Sequence, residues 1–311
     1  MVRTAVLMAT YNGQDFIEEQ LDSIRNQTLK PDYVLLRDDG STDKTIEVVN
    51  TYILKYNLNN WSIQKNEKNL GWRLNFRQLL LDSLSLTVDY IFFSDQDDIW
   101  YWDKNEKQVS IMETHPFVDV LSADVDIKLM SGEATYPKQF QFDAKAKLTQ
   151  YPLDFSYHNY RQGWTFCIRK SFVEQVMKHY QEGLMLSHDN LMTGISGLLG
   201  TGYNYNYPVG LHKRHGGNAS GHLLNIHSTH SRHITELKLV VSYFTIARAV
   251  LVEDQHKNLN RLNKYYQFNV ERLENAENRK LFSTLKQTII KGQYYDSFSN
   301  RIRDLIFIFK K

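Results

Sequence analysis

The sequence has 311 residues, of which 42% are hydrophobic, 23% charged and 13% aromatic, with a formal net charge of +2. This balance excludes a disordered chain, a fibrous repeat and a low-complexity polymer, and the length fits roughly two domains. The single cysteine, Cys167, excludes an intramolecular disulfide and a metal site of clustered thiolates, and its apolar neighbours favour a place in the core.

Strand-like and helix-like segments alternate through the first 125 residues. Short apolar runs predict strands at residues 4–9, 33–36, 61–64, 89–93 and 117–121. Apolar residues at helical spacing predict helices at 14–26 and 71–84, with another between them that Ser41 or Thr42 would cap. Later helices are predicted at 237–252, 259–273 and 279–290. The alternation indicates an α/β fold with a mostly parallel sheet covered on both faces.

Polar clusters follow three of these strands at the point where each strand ends. They cover residues 10–13, 37–43 and 94–98. Ligands of open parallel sheets bind beyond the carboxyl ends of the strands, so we expect the three clusters to converge on one ligand-binding edge. Each has a plain alternative when taken alone, since a strand-ending turn or the first turn of a helix has the same composition.

The third cluster places Asp95, Asp97 and Asp98 within four residues, directly after an apolar strand. Like charges this close favour a compensating cation. Oxygen ligands suit Mg²⁺ or Mn²⁺, and Mg²⁺ commonly combines one or two carboxylates with substrate phosphates. In an extended segment Asp95 and Asp97 point the same way, and Gln96 points away. The pattern favours a metal–diphosphate site, with an acidic turn that caps the following helix as the alternative.

Together the clusters resemble the family 2 glycosyltransferases with the GT-A fold. The segments that carry the resemblance are Ala9-Thr10-Tyr11-Asn12-Gly13, Arg37-Asp38-Asp39-Gly40-Ser41-Thr42-Asp43, Asn69-Leu70-Gly71 and Ser94-Asp95-Gln96-Asp97-Asp98-Ile99-Trp100. The last segment is most similar to the bacterial branch that includes rhamnosyltransferases of surface polysaccharide biosynthesis. The resemblance implies a Rossmann-like GT-A fold, a mostly parallel sheet sandwiched by helices. The helix patterns after it predict a C-terminal helical extension, which carries no signature of the family.

The resemblance also implies a division of the chain. We expect a GT-A catalytic domain at 1–225 and a helical C-terminal region at 226–311. Within the catalytic domain, a nucleotide-sugar half would cover about 1–125 and an acceptor half about 126–225.

The family's donor site maps onto named positions of this chain. Thr10 and Tyr11 would line the base pocket, and Asp39 or Asp38 would contact base or ribose. The residues that the resemblance implies for the nucleotide-sugar are Thr10, Tyr11, Asn12, Asp38, Asp39, Gly71, Arg73, Asp95 and Gln96. Asp97 would hold Mg²⁺ or Mn²⁺. His215, in a segment similar to the family's late Arg-x-His, would complete the metal shell or contact the diphosphate.

Asp189 is the candidate general base, because relatives carry an acidic residue at the start of the corresponding helix. Its alternative is a helix N-cap, and the role of the neighbouring His188 on the acceptor side stays open. Trp164 could stack on a sugar face, with a core tryptophan as the alternative. Six of the 11 histidines lie between His212 and His233, and a polar loop is favoured there over a zinc site.

The implied function is metal-dependent, inverting transfer of a sugar from dTDP-rhamnose or a UDP-hexose to a glycan acceptor of the cell surface. The acceptor would be lipid-linked or protein-linked, no nucleic acid is expected as a partner, and the chain would act as a monomer or homodimer. A sugar nucleotidylyltransferase would need a basic, Gly-rich loop after the first strand, which the sequence lacks. A non-catalytic scaffold with the same fold is the other alternative.

The charge is unevenly distributed along the chain. Residues 235–311 carry 14 Lys and Arg against 8 Asp and Glu, whereas residues 1–234 carry 23 against 27. The tail from Arg301 onward alternates basic and apolar residues, which suits peripheral contact with an anionic membrane. A helix packed on the protein or a dimer contact explains the same pattern. We therefore expect a cytoplasmic protein, either free or peripheral on the inner face of the cell membrane.

Overall fold

The strands of the computed structural model form one mixed sheet. The structure describes residues 1–130, 140–143, 145–157, 160–180, 186–214 and 228–310. The strands in these residues are β1 (Thr4–Thr10), β2 (Tyr33–Asp38), β3 (Trp61–Lys65), β4 (Tyr90–Ser94), β5 (Ile99–Trp100), β6 (Val120–Leu129), β7 (Leu148–Gln150), β8 (Cys167–Arg169) and β9 (Gly202–Arg214). The helices are α1 (Ile17–Arg25), α2 (Thr45–Lys55), α3 (Trp72–Ser83), α4 (Lys104–Thr114), α5 (Lys170–Lys178), α6 (His188–Leu199), α7 (His230–Glu253), α8 (Leu259–Glu277), α9 (Leu281–Ile290) and α10 (Phe298–Phe309).

The sheet order is β3-β2-β1-β4-β8-β6-β9-β5, with β7 paired to β9. The long ladders, which join β1 to β2 and β4, β2 to β3, and β6 to β9, are parallel. The antiparallel ladders that involve β5, β7 and β8 span three residue pairs or fewer. The prediction of an α/β fold with a mostly parallel sheet is therefore confirmed.

Both faces of the central strands are covered by helices. Val6 and Met8 of β1 and Phe92 of β4 share a core with apolar residues of α1, α2 and α4. The next residue of β4, Phe93, points to the opposite face, where its ring lies 5.8 Å from that of Phe76 on α3. Successive strand residues thus serve opposite layers, which explains why these strands are continuous apolar runs rather than alternating ones.

One lysine lies inside this core. Lys104, at the start of α4, is 0% exposed, and its Nζ lies 4.5 Å from the ring centre of Phe92 and 4.0 Å from that of Trp100. Burial lowers the pKa of this amine to about 7. The two aromatic faces stabilise the charged form only in part, because they replace water with a weaker cation–π attraction.

Four predicted strands agree with the structure to within two residues at each end. The fifth, predicted at 117–121, begins at Val120 and continues to Leu129, because it pairs along its length with the distant strand β9. The capping prediction was wrong. Helix α2 begins at Thr45 after Lys44, with no side-chain cap, and the Ser41 hydroxyl bonds to Asp38 instead.

The described residues divide into two compact units. The first holds those of 1–153, 160–178 and 187–214, and the second holds 154–157, 179–180, Leu186 and 228–310. In the second unit, α7 and α8 pack together, and α9 and α10 pack on each other and on α8. Among the described residues, none of the helices combines the length and the hydropathy that a membrane crossing requires.

A buried ion pair joins two helices of the second unit. Asp304 of α10 accepts hydrogen bonds of 2.5 and 2.9 Å from the Arg272 guanidinium of α8, and both side chains are about 5% exposed or less. Burial by itself would raise the pKa of Asp304, but Arg272 outweighs burial and holds the pKa below its ordinary range. Arg303 and His233 lie against the same carboxylate.

We expect Asp304→Asn to lower the free energy of unfolding by about 3–5 kcal/mol, because the Arg272 charge would stay buried without its partner. Urea denaturation of the full chain measures the loss. Glu277→Gln is the matched control, since Glu277 pairs with Lys238 at an exposed site worth about 0–1 kcal/mol. The Asp304 contribution should be present above the ordinary Asp pKa and be lost as the pH falls through the lowered value. Equal, small losses in both variants would contradict the assignment.

Candidate active site

The loops after β1, β2 and β4 meet at one edge of the sheet. Thr10, the last residue of β1, is in register with Asp38, the last residue of β2, and Met8 is in register with Ser94 of β4. Because the three strands run parallel, the residues that follow them emerge side by side. The expected convergence of the three polar clusters is therefore present.

Asn12 joins the first of these loops to the second. Its backbone N–H donates to the Ser41 hydroxyl at 2.8 Å, and its side-chain oxygen accepts from the Thr42 N–H at 2.9 Å. The next amide, Gly13 N–H, donates to the Thr45 hydroxyl at 2.8 Å. Asn12 has a φ of +46°, a conformation that asparagine tolerates better than most residues. Its contacts thus fix the two loops relative to each other.

Gln96 joins the same loop to the acidic turn. Its side-chain oxygen accepts from the Tyr11 N–H at 2.9 Å, and its side-chain nitrogen donates to the Tyr11 carbonyl at 2.9 Å. The amide lies so close to Gly13 that a Cβ there would be 2.2 Å from the Gln96 Oε1. The Tyr11 side chain itself stays 48% exposed. Gln96 therefore positions the loop and leaves the tyrosine ring open to a ligand.

Asp38 holds the turn after β2 from inside. It is 0% exposed, and its carboxylate accepts from the Gly40 and Ser41 N–H groups at 3.1 and 2.8 Å. The same carboxylate accepts from the Thr10 hydroxyl at 3.1 Å, and Thr10 is also buried. Asp38 and Asp39, the two aspartates considered for base or ribose contact, are both buried, and the Asp38 carboxylate is occupied within the protein.

Asp39 shapes the approach to α3. Its carboxylate accepts from the Leu70 and Gly71 N–H groups, both at 2.8 Å, and from the Asn66 side chain at 2.9 Å. Gly71 precedes α3 with a φ of +79°, which favours glycine. Arg73 lies in the first turn of α3, and its guanidinium packs over the Trp72 ring at 4.4 Å. The structure thus brings Asp39 and Gly71 into contact, with Arg73 in the helical turn that follows.

The acidic turn concentrates negative charge that the protein does not fully neutralise. Burial and the carboxylates of Asp98, Asp97 and Asp189 raise the pKa of Asp95 well above its ordinary value. Asp189, far along the chain, is thus one of the carboxylates that disfavour the ionised form of Asp95. A divalent cation would relieve the repulsion, and the carboxylate oxygens are ligands that Mg²⁺ and Mn²⁺ accept. The donor set therefore fits the metal that the sequence implies, although no group of three or more ligands that could hold a metal is found among the described residues.

Asp98 differs from its neighbours because it pairs with a histidine. The His212 Nδ1 lies 2.7 Å from the Asp98 Oδ1, which also accepts from the Lys213 N–H at 3.3 Å. Burial raises the pKa of Asp98 to about 6, although His212 opposes the rise. This contact was not predicted from the sequence, because His212 was grouped with the polar loop that follows. The feature that could have predicted the contact is that His212 belongs to the strand-like segment before that loop.

Two residues predicted for the acceptor side belong to the core instead. Trp164 is 1% exposed, and a Cβ at Gly210 would come within 2.8 Å of its ring. His188 is 4% exposed, stacks on Phe76 at 3.7 Å, and lies so close to Gly163 that a Cβ there would be 2.3 Å from its Nε2. Burial lowers the pKa of His188 to about 4, so the ring is neutral near pH 7. Neither side chain presents an open face to a sugar.

Asp189 lies in the first turn of α6 and is partly exposed. The helix is capped by Ser187, whose hydroxyl accepts from the Asn190 N–H at 3.2 Å. Asp189 is therefore not the N-cap. Its carboxylate accepts from the Ser187 hydroxyl and, at 2.9 Å, from the Asn190 N–H, and these bonds restrict its orientation.

His215, the predicted second metal or diphosphate ligand, lies outside the described residues. Lys213, just before it, is 5% exposed, and its Nζ pairs with Glu19 of α1. The charge of Lys213 is thus paired with an acidic side chain from the first helix.

Comparison with known proteins gives a consistent result. The family described as Glycosyl transferase family 2 matches residues 5–177. The dTDP-rhamnosyl transferase RfbG of Shigella flexneri is 32% identical over 171 residues, which cover 55% of this chain and 56% of that protein. The putative glycosyltransferase EpsE of Bacillus subtilis is 34% identical over 121 residues, 38% of this chain and 41% of that protein. The chain thus matches about half, or less, of the length of these relatives.

Solved structures show the same fold. The crystal structure of S. aureus TarS 1–349 in complex with UDP-GlcNAc has a TM-score of 0.61, covers 99% of this chain and 89% of that one, and is 17% identical. The mannosyltransferase PcManGT from Pyrobaculum calidifontis, in complex with GDP-Man and Mn²⁺, has a TM-score of 0.50 at 14% identity and covers 98% of this chain and 84% of that one.

The contact between Gln96 and Gly13 gives a double-mutant test. Gly13→Ala should cost about 1–3 kcal/mol of stability, because the added methyl would displace the Gln96 amide. In the Gln96→Ala background the same substitution should cost much less, since the obstructing atoms are gone. Thermal unfolding of the four proteins measures the coupling. Equal costs in both backgrounds would show that Gln96 does not constrain this loop.

Proposed function

The chain belongs to glycosyl transferase family 2, and from this we propose that it transfers a sugar, with inversion, from a nucleoside diphosphate sugar to a glycan acceptor of the cell surface. The observation that carries the proposal is the convergence of the polar loops that follow β1, β2 and β4, with Asp189 among the carboxylates that raise the pKa of Asp95. That edge is where a parallel α/β sheet binds its ligand.

We propose that the nucleotide lies over the loops that follow β1 and β2. The exposed Tyr11 ring offers a stacking surface for the base, and the segment that Asp39 arranges offers a close backbone approach at Gly71. Arg73, in the helical turn beside it, supplies a cation for the phosphates. These contacts support a nucleoside diphosphate without selecting the base.

For the donor we propose dTDP-rhamnose first and a UDP-hexose second. The first follows the sequence similarity to a dTDP-rhamnosyl transferase. The second follows the structural similarity to TarS, which was solved with UDP-GlcNAc. The acceptor would be a lipid-linked glycan, with a protein-linked glycan as the alternative, and the reaction would take place in the cytoplasm.

In the proposed reaction, Asp189 removes the proton from an acceptor hydroxyl. The freed oxygen forms a bond to the anomeric carbon while the bond from that carbon to the diphosphate oxygen breaks, so the nucleoside diphosphate leaves with the electron pair. Ser187 and the Asn190 N–H orient the Asp189 carboxylate for this step. The attack comes from the side opposite the leaving group, which is why the configuration inverts.

Asp95 and Asp97 would hold Mg²⁺ or Mn²⁺ together with the donor diphosphate. A bound cation supplies charge neutralisation for the leaving group. The protein holds these carboxylates in place through two contacts of the turn. Gln96, between them in sequence, bonds to the Tyr11 backbone, and Asp98 bonds to His212.

We expect Asp189→Asn to lower the transfer rate by on the order of 10²–10⁴-fold, because the amide cannot accept the proton. Binding of the nucleoside diphosphate should stay within about twofold, since Asp189 acts on the acceptor side. Single-turnover transfer and nucleotide titration measure the two effects. Glu106→Gln is the matched control, an exposed acid in the first turn of α4. Transfer at the normal rate by Asp189→Asn would remove the base assignment.

Thermal shifts identify the donor nucleotide. A nucleoside diphosphate at about 100-fold excess over its Kd should add about 2.7 kcal/mol to the unfolding free energy. We expect such a shift with dTDP in the presence of Mg²⁺ or Mn²⁺, and a smaller one for Asp97→Asn, because that variant loses a metal ligand. A shift with UDP alone would favour a hexose donor. No shift with dTDP, UDP or GDP would favour a scaffold that retains the fold without the activity.

A further inference from the structure

Helix α9 exposes its apolar residues and buries its polar ones. Thr284, Gln287 and Thr288 are buried, and Gln287 exchanges hydrogen bonds with α8, donating to the Phe268 carbonyl at 3.1 Å and accepting from the Asn275 side chain at 3.2 Å. On the opposite side, Phe282 is 85% exposed and Ile289 is 72% exposed. The usual amphipathic arrangement of a surface helix is inverted.

Helix α10, which packs beside α9, also has an exposed apolar side, although it buries Phe307 and Ile308 together with charged residues. Its charged residues Arg303 and Asp304 are buried in the ion-pair cluster with α8. Its outward residues Phe298, Ile302, Ile306 and Phe309 follow one another at helical spacing along a single side. The exposed apolar residues of the two helices, which we call the α9–α10 apolar face, are Phe282, Leu285, Ile289, Ile290, Phe298, Ile302, Ile306 and Phe309. Exposed apolar residues grouped in this way mark an interaction surface.

The charges around the α9–α10 apolar face are mostly positive. Between Arg279 and Lys311 the sequence contains eight lysines and arginines and two aspartates. Arg303 and Asp304 are both buried in the ion-pair cluster. Lys280 and Lys291 pair with Glu274 and Glu271 of α8, which leaves a smaller positive excess. Lys286 is exposed within α9 itself. A symmetric contact between two copies would bring these like charges together, which is unfavourable. An anionic surface complements them.

We propose that the α9–α10 apolar face docks on an anionic membrane surface. The aromatic and aliphatic side chains enter the boundary between headgroups and acyl chains, while Lys286 and its basic neighbours contact the lipid phosphates. Docking requires no refolding, because the apolar side chains involved are already exposed. The proposal does not depend on the nature of the donor or acceptor.

Flotation of the full chain with lipid vesicles tests the proposal. We expect the protein to float with vesicles that contain phosphatidylglycerol in phosphatidylcholine, and not with phosphatidylcholine alone. The triple variant Phe282→Gln, Ile289→Gln, Phe309→Gln should bind at least about tenfold more weakly, because three exposed apolar side chains are lost from the contact. Circular dichroism and the thermal midpoint should not change, since none of the three is buried.

Matched substitutions distinguish binding through the α9–α10 apolar face from non-specific binding through other exposed apolar residues. Leu54→Gln removes a 77% exposed apolar residue on α2 and should leave binding unchanged. Lys286→Gln should weaken binding and its salt dependence, whereas Lys257→Gln, at an exposed lysine outside the face, should not. The proposal is overturned if the unaltered chain does not float with anionic vesicles, or if the triple variant floats equally well. A wild-type dimer in sedimentation velocity that the triple variant loses, without vesicle binding, would assign the face to a second copy instead.

A failure here would be distinguishable from a failure of the proposed glycosyl transfer. The nucleotide-dependent thermal shift depends on the first unit and is measured without lipid. The flotation experiment needs neither nucleotide nor acceptor.

Discussion

Once β1, β2 and β4 end, the backbone amides of the following loops lose their strand partners, and the site depends on the side chains that replace them. The Gln96 side chain forms hydrogen bonds with both the N–H and the carbonyl of Tyr11, as a neighbouring strand would. The Ser41 hydroxyl accepts from the Asn12 N–H, and the Asp39 carboxylate accepts from the Gly71 N–H. Buried or half-buried amides need such partners in any fold. Here the partners come from neighbouring loops, so satisfying the backbone and assembling the site are one process.

The sequence predicted the parts of the molecule that local patterns determine. Apolar runs that end in polar clusters placed the first four strands and the acidic turn, because strand ends and turn chemistry depend on near neighbours. The environments of Trp164 and His188 depend instead on distant residues. Each aromatic ring packs against a glycine whose missing side chain makes room for it, Gly210 for Trp164 and Gly163 for His188. No local pattern reveals that partnership, and the pairing of Asp98 with His212 is of the same kind.

The Asp304 ion pair and the acidic turn are opposite arrangements of charge. In the helical unit, Asp304 meets a guanidinium at hydrogen-bonding distance, and the opposite charges compensate each other within the protein. In the acidic turn, carboxylates crowd Asp95 and make its ionised form unfavourable. The first arrangement stabilises the fold. In the second, the carboxylates repel one another, and a cation that arrives with a ligand would reduce the repulsion. Whether the buried charges are paired, rather than how many there are, distinguishes the structural cluster from the candidate site.

Lys104 makes the folding stability of the chain depend on pH. A lysine in the unfolded chain keeps its proton up to a pKa of about 10.4, whereas burial between Phe92 and Trp100 lowers the pKa of Lys104 to about 7. Between these values the unfolded chain binds more protons than the folded one, so the folded state gains stability as the pH rises. Phe92 and Trp100 stand on either side of the acidic turn in the sequence. Mild alkalinity therefore favours the folded state, and the thermal midpoint will vary with pH even where no reacting group titrates.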